Sequence, residues 1–136
     1  MKEKLNCILL IDDDLPTNVY NRVMVTESEV TERVEVRNSG EDALAFLTAL
    51  EDGKYPNPAM IFVDVNMPGM DGWEFLEQYN LLTEEQKDNV VLMLTTSIDP
   101  IDKQKSIDLG AKGFIQKPLS SELIIELAKE HFPHKF

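Results

Sequence analysis

An α/β fold, a parallel sheet covered by helices on both faces, is the architecture this chain predicts. Three observations carry the prediction. Short apolar runs alternate with helix-period segments five times within 136 residues. The runs "LNCILLI", "AMIFVDV" and "VVLMLT" are almost continuously apolar, as strands buried on both faces are. Several of the runs end abruptly in polar residues, where ligands bind in parallel sheets.

The elements follow in order. Residues 5–11 form the first strand, ending at Asp12, Asp13 and Asp14. "TNVYNRVMVTES" places Val19, Val23 and Met24 at helical spacing, which predicts a helix with those residues in its apolar stripe. "RVEVRN" (33–38) alternates as a short strand does. In "SGEDALAFLTALEDG", Ser39 caps a helix, Glu41 and Asp42 suit its first turn, and Gly53 ends it. Ala43, Leu44, Leu47 and Leu50 make its stripe. Residues 59–65 form a strand, "NMPGMDG" a loop and "WEFLEQYNLL" a helix. Residues 90–95 form the fourth strand. "PIDKQKSIDLG" is a helix with Pro100 near its start and Gly110 near its end. "GFIQ" (113–116) is the last strand, and "SSELIIELAKEHF" a last amphipathic helix with a serine cap.

Length and the absence of a linker-like segment predict one domain over residues 1–136. The composition, 43% hydrophobic and 28% charged, lies in the globular range. A formal net charge of -12 argues against nucleic acid as a ligand, because phosphate backbones need a basic face. No run reaches transmembrane length, so no membrane partner is expected. The two N-terminal lysines precede an apolar run too short for a signal peptide, and aspartates stand where a cleavage site belongs. These features predict a cytoplasmic protein. Cys7 is the single cysteine and reads as a core residue. Trp73 reads as packing, and His131 and His134 lack ligand spacing.

A parallel sheet gathers its strand ends at one edge. That edge would hold Asp12, Asp13 and Asp14 from the first strand, Asp64 from the third, Thr95 and Thr96 from the fourth, and Lys117 after the fifth. Crowded carboxylates are costly unless a cation sits among them. Oxygen ligands in an incomplete cage suit Mg²⁺, which keeps waters and accepts phosphate oxygens. A lysine and a hydroxyl facing such an ion fit phosphoryl transfer, with one carboxylate as the nucleophile.

The segments "ILLIDDD", "IFVDVNMPGMDG", "VVLMLTT" and "GAKGFIQKPL" resemble the response-regulator receiver domain of two-component signalling, over roughly residues 5–131. The resemblance implies a doubly wound, flavodoxin-like sheet of five strands in the order 2-1-3-4-5, flanked by five helices. It implies Asp64 as phosphoacceptor, and Asp12 and Asp13 as the acidic pair that places Mg²⁺, with Asp13 the more direct ligand. The backbone carbonyl of Asn66 would join them on the metal. Thr95 would contact the phosphoryl group and move on activation, and Lys117 would pair with that group. Phe114 occupies the aromatic switch position. The Lys117-Pro118 bond matches one often cis in the family. Asn66 and Ser97 stand at positions that tune acyl-phosphate lifetime, and Thr96 replaces a usually small residue. Asp14 is expected to be a first-turn acid of helix one instead of a ligand.

The resemblance further implies a stand-alone response regulator. A sensor histidine kinase or histidine phosphotransfer protein would phosphorylate it. A target protein would then dock on the face of helix four, strand five and helix five. Beyond its own phosphorylation and dephosphorylation it would catalyse nothing. Two other readings compete. A haloacid-dehalogenase-type phosphatase also uses a strand-end aspartate, Mg²⁺ and a lysine. "DDDLPT" approaches its motif through Asp12 and Asp14, but Pro16 stands where Thr or Val belongs. A receiver-like binding module that is never phosphorylated would lack the acids or the lysine, and here all are present.

Overall fold

The computed structural model describes residues 3–136. Ten elements alternate along the chain: β1 (Ile8–Ile11), α1 (Leu15–Ser28), β2 (Val34–Arg37), α2 (Gly40–Thr48), β3 (Met60–Asp64), α3 (Gly72–Tyr79), β4 (Val90–Thr95), α4 (Pro100–Asp108), β5 (Gly113–Gln116) and α5 (Ser121–His131). The strands form one parallel sheet in the order β2-β1-β3-β4-β5. The order reverses beside β1, which makes the carboxyl edge between β1 and β3 the natural ligand crevice.

Alternation along each strand sends side chains to opposite faces. Leu9, Ile11, Ile61, Val63 and Met93 pack with Ala43, Leu47, Phe75 and Leu76 from α2 and α3. Ile8, Leu10, Met60, Phe62, Leu92 and Leu94 pack with Val25 of α1 and Ile124 and Ala128 of α5. Full burial of an aliphatic side chain contributes roughly 1.5–3 kcal/mol, so these two layers dominate the stability. Cys7 lies in this interior, where burial pushes its thiol up to about 11, beyond ready ionisation.

Register brings the site together. Ile11 pairs with Val63, which sets Asp12 beside Asp64, and Thr95 pairs with Gln116, one residue before Lys117. Among the described residues no helix is long and apolar enough to cross a membrane.

Three local expectations need correction. The buried face of α1 carries Asn18, Asn21, Val25 and Ser28, whereas Val19 and Val23 are exposed, Val19 by 65%. Val19 and Val23 mark a surface row, Met24 packs partly buried against the core, and on the inner face the Asn18 amide donates to the Asp12 carbonyl just past β1. Second, α2 stops at Thr48, so Leu50 is exposed beyond it and Gly53 (φ 79°) serves the following turn. Third, α3 ends at Tyr79, short of the leucines at 81 and 82.

Candidate functional site

Asp12 follows β1 directly and is 2% exposed. It is held from several sides. Its backbone N–H donates to Arg37 O at 3.2 Å, continuing the ladder to β2. Its carbonyl accepts from Asn18 Nδ2 at 2.8 Å, and its Oδ1 accepts from the Asp14 N–H at 3.0 Å. Its Oδ2 accepts from Lys117 Nζ at 2.8 Å. Asp13, next in the chain, is exposed. Asp14 is the N-cap of α1: its carboxylate accepts from the Thr17 N–H at 3.0 Å and from the Thr17 hydroxyl. It therefore serves helix one, as a cap and not as a first-turn acid.

Asp64 ends β3 and is 5% exposed. Its Oδ1 lies 2.9 Å from Lys117 Nζ. The following loop turns back sharply: the Gly72 N–H donates to Val65 O at 3.1 Å. A Cβ on Gly72 would come within 2.5 Å of the Asp64 carbonyl oxygen, so only glycine fits. Gly69 adopts φ 72°, a left-handed conformation that suits its place in the loop. Asn66 is exposed at the mouth.

Thr95 ends β4 and is buried. Its hydroxyl donates to Ser97 O at 2.9 Å, so it is engaged with its own loop. Thr96 and Ser97 are exposed. The Lys117 N–H donates to Thr95 O at 2.7 Å, which fixes Lys117 against β4, and the Lys117-Pro118 bond is cis. Phe114 is half-buried on β5 against the core layer of α2 and α3.

The ammonium of Lys117 thus bridges Asp12 and Asp64, its side chain 18% exposed. Burial works against its charge, but the hydrogen bonds it donates to both carboxylates outweigh that and raise its pKa. Burial raises the pKa of Asp64; the charges of Asp12 and Asp13 add to the rise and Lys117 opposes it. One lysine does not balance three carboxylates. Asp12, Asp13 and Asp64 each offer an oxygen, all within 4.8 Å of one another. Such a hard, all-oxygen donor set with excess negative charge fits a hard divalent cation.

Sequence reading missed one participant. Asn18, which positions the Asp12 carbonyl, was hidden because an amide on a helix carries no hydrophobic signal. The exposed row Leu15, Val19 and Val23 runs along α1, which starts at the mouth of the site. A pocket of about 280 Å³ lined by Pro16, Thr17, Tyr20, Asn21, Lys117 and Pro118 opens beside it.

A family model described as the response regulator receiver domain matches residues 8–129. Among curated proteins, the transcriptional regulatory protein HprR of Escherichia coli is 33% identical over 93% of this chain and 52% of that protein. A probable cyclic di-GMP phosphodiesterase of Vibrio cholerae is 31% identical over 99% of this chain and 29% of that protein. The chain spans about half or less of these relatives. Among solved structures, a two component response regulator from Cytophaga hutchinsonii is 28% identical with a TM-score of 0.84, covering 96% of this chain and 99% of that one. The Vibrio cholerae chemotaxis protein CheY4 is 26% identical with a TM-score of 0.78, covering 94% and 99%. Phosphorylation by histidine kinases is the general role of receiver homologues. The match runs from β1 into α5 and agrees with the sheet order, and the chain belongs to the response regulator receiver domain family.

Proposed function

We propose that Asp64 is the phosphoacceptor of a signalling switch, phosphorylated in a Mg²⁺-dependent reaction by a sensor histidine kinase or a histidine phosphotransfer protein. The observation that carries this reading is the bridge of Lys117 between Asp12 and Asp64 at the sheet's carboxyl edge. A buried carboxylate with a raised pKa keeps its nucleophilic oxygen only where cations balance its neighbours.

Asp12, Asp13 and Asp64, with the Asn66 carbonyl that the family resemblance adds, would hold the ion. When bound, Mg²⁺ supplies positive charge against the oxygens of the transferring group. In the transfer, an Asp64 carboxylate oxygen forms a bond to phosphorus. The phosphorus–nitrogen bond of the donor phosphohistidine breaks, and the electron pair returns to the imidazole. Lys117 Nζ stays within reach of the new phosphoryl oxygens. The Thr95 hydroxyl leaves Ser97 O and donates to a phosphoryl oxygen, and Phe114 follows into the space. The face of α4, β5 and α5 then changes its preference for a target protein, a shift between two populations. Attack of water on phosphorus returns the carboxylate and releases inorganic phosphate.

The exposed apolar row of α1 and the neighbouring pocket support docking of an apolar donor helix at the mouth of the site. The reading makes the chain one receiver unit acting in the cytoplasm, through protein contacts and without a reaction on any other substrate. In the phosphatase alternative Asp14 would be the second motif acid, yet its carboxylate caps α1. Phosphotransfer profiling against the histidine kinases of the source organism tests the proposal. Transfer from one kinase or phosphotransfer protein is the expected result. Transfer from none, or repeated turnover of a phosphomonoester, would refute it.

A further inference from the structure

Of the helices, α4 has the fewest buried residues. Ser106 is its single buried residue, while Ile101 and Ile107 are exposed. Apolar burial therefore contributes little to holding it. Side chains of α3 and of its C-cap residue take over that part. Trp73 Nε1 donates to Ser106 Oγ at 3.1 Å, and Ser106 Oγ donates in turn to Asp102 O at 2.9 Å. Lys105 Nζ sits 4.3 Å from the centroid of the indole, a cation–π contact. At the other end, Asn80 Nδ2 donates to Leu109 O at 2.8 Å.

Trp73 is the second residue of α3, and the first, Gly72, lies against the Asp64 carbonyl. The indole is thus fixed to the Asp64 loop by backbone and reaches α4 by its ring. The chain entering α4 has the opposite character. Asp99 caps α4 two residues after Ser97, whose carbonyl accepts the Thr95 hydroxyl. When Thr95 turns to a phosphoryl group that bond is lost, and the exposed segment leading to the cap loses its tether. Trp73 stands at the boundary between the held part and the freed part.

We propose that Trp73 is a positioning residue of the switch: its hydrogen bond to Ser106 and its contact with Lys105 hold α4 in the resting arrangement, and phosphorylation must break them to move α4. The inference rests on the phosphoacceptor reading. One hydrogen bond and one exposed cation–π contact together favour the held arrangement by about tenfold. By linkage, whatever favours the resting arrangement lowers the apparent affinity for a phosphoryl group, or its mimic, at Asp64.

The test uses the whole chain and two substitutions, Trp73→Phe and Ser106→Ala. Hydrogen exchange is measured on the metal-free, unphosphorylated protein. Beryllofluoride, a phosphoryl mimic, is titrated calorimetrically in the presence of Mg²⁺. Both variants lose the hydrogen bond and keep a ring beneath Lys105, so each should speed exchange of the α4 amides by about fivefold while β3 amides keep their protection. Both should also bind beryllofluoride at least about threefold more tightly. In the wild-type protein the indole N–H resonance of its single tryptophan should shift on binding. Faster α4 exchange with unchanged beryllofluoride affinity would make Trp73 merely structural and overturn the proposal, as would unchanged α4 exchange. A wild-type protein that binds no beryllofluoride would overturn the phosphoacceptor reading itself. If Trp73→Phe loses β3 protection, Ser106→Ala, which removes one hydroxyl, decides alone.

Discussion

Replacing Lys117 by methionine keeps most of the length of the side chain and removes its charge. Two charge-assisted hydrogen bonds go with it, to Asp12 Oδ2 at 2.8 Å and Asp64 Oδ1 at 2.9 Å. Hydrogen bonds to charged groups contribute about 1.5–3 kcal/mol each, and a fully buried pair broken from one side costs about 3–5 kcal/mol. The lysine side chain is 18% exposed and Asp13 opens the site to water, so relief by solvent places Lys117→Met near the low end. We expect a loss of about 3 kcal/mol at neutral pH in chelator, read by urea unfolding. The pH dependence follows from Asp64. Burial raises its pKa, its acidic neighbours add to that, and Lys117 is the group that opposes the rise. Without the lysine the pKa climbs further, so acidification protonates Asp64 sooner in the variant and relieves the repulsion. The stability gap to wild type therefore narrows as pH falls through the carboxylate range. Mg²⁺ at about ten times its Kd should return roughly 1.4 kcal/mol. A gap below about 1 kcal/mol, or one independent of pH, would show that the lysine does not hold the two carboxylates together.

Asp64→Asn tests the sign of the same electrostatics. An acid whose folded pKa is raised contributes stability that is complete below its unfolded pKa and lost as pH rises through the folded value. The variant should therefore unfold at higher urea than metal-free wild type at neutral pH, with the advantage vanishing in acid. The three adjacent aspartates should separate. In Mg²⁺ titrations Asp13→Ala loses affinity most, Asp12→Ala less and Asp14→Ala little, whereas Asp14→Ala costs about 1 kcal/mol of stability as a lost helix cap. Equal affinity losses at all three would contradict that division. Gly72→Ala should destabilise by about 1–3 kcal/mol and distort the Asp64 loop, because its Cβ would meet backbone at 2.5 Å. Gly40→Ala should cost less, since the atom it would meet at 2.6 Å is the movable sulfur of Met70. Urea midpoints and the amide resonances of residues 64–72 distinguish the two.

The parts of the fold legible in the sequence are those where one physical demand dominates. β4 (90–95) falls where its apolar run places it, because a strand of the sheet interior admits little else and ends abruptly, and the short edge strand β5 (113–116) also falls on the residues expected for it. The inner face of α1 was not legible. Asn18 and Asn21 pack inward, with Asn18 satisfying the Asp12 carbonyl, so hydrophobic spacing picked out the outer row instead. The end of α2 was misplaced because Leu50, two residues past the last helical residue, continues the period, and no local signal marks Thr48 as the end. At the site, carboxylates ending apolar runs could be read directly, since charge at the tip of a core strand has few structural uses. Geometry made across elements could not: the double reach of Lys117, the engagement of Thr95 with Ser97 and the indole bond from α3 to α4 all depend on register.

Everything proposed for the switch depends on Asp64 carrying the phosphoryl group. Mass spectrometry of the protein after incubation with Mg²⁺ and acetyl phosphate tests it most directly. One phosphoryl group per chain is expected, mapped to Asp64, absent in Asp64→Asn and absent in chelator. A phosphoryl group that persists in Asp64→Asn, or that maps to Asp12, Asp13 or Asp14, would contradict it.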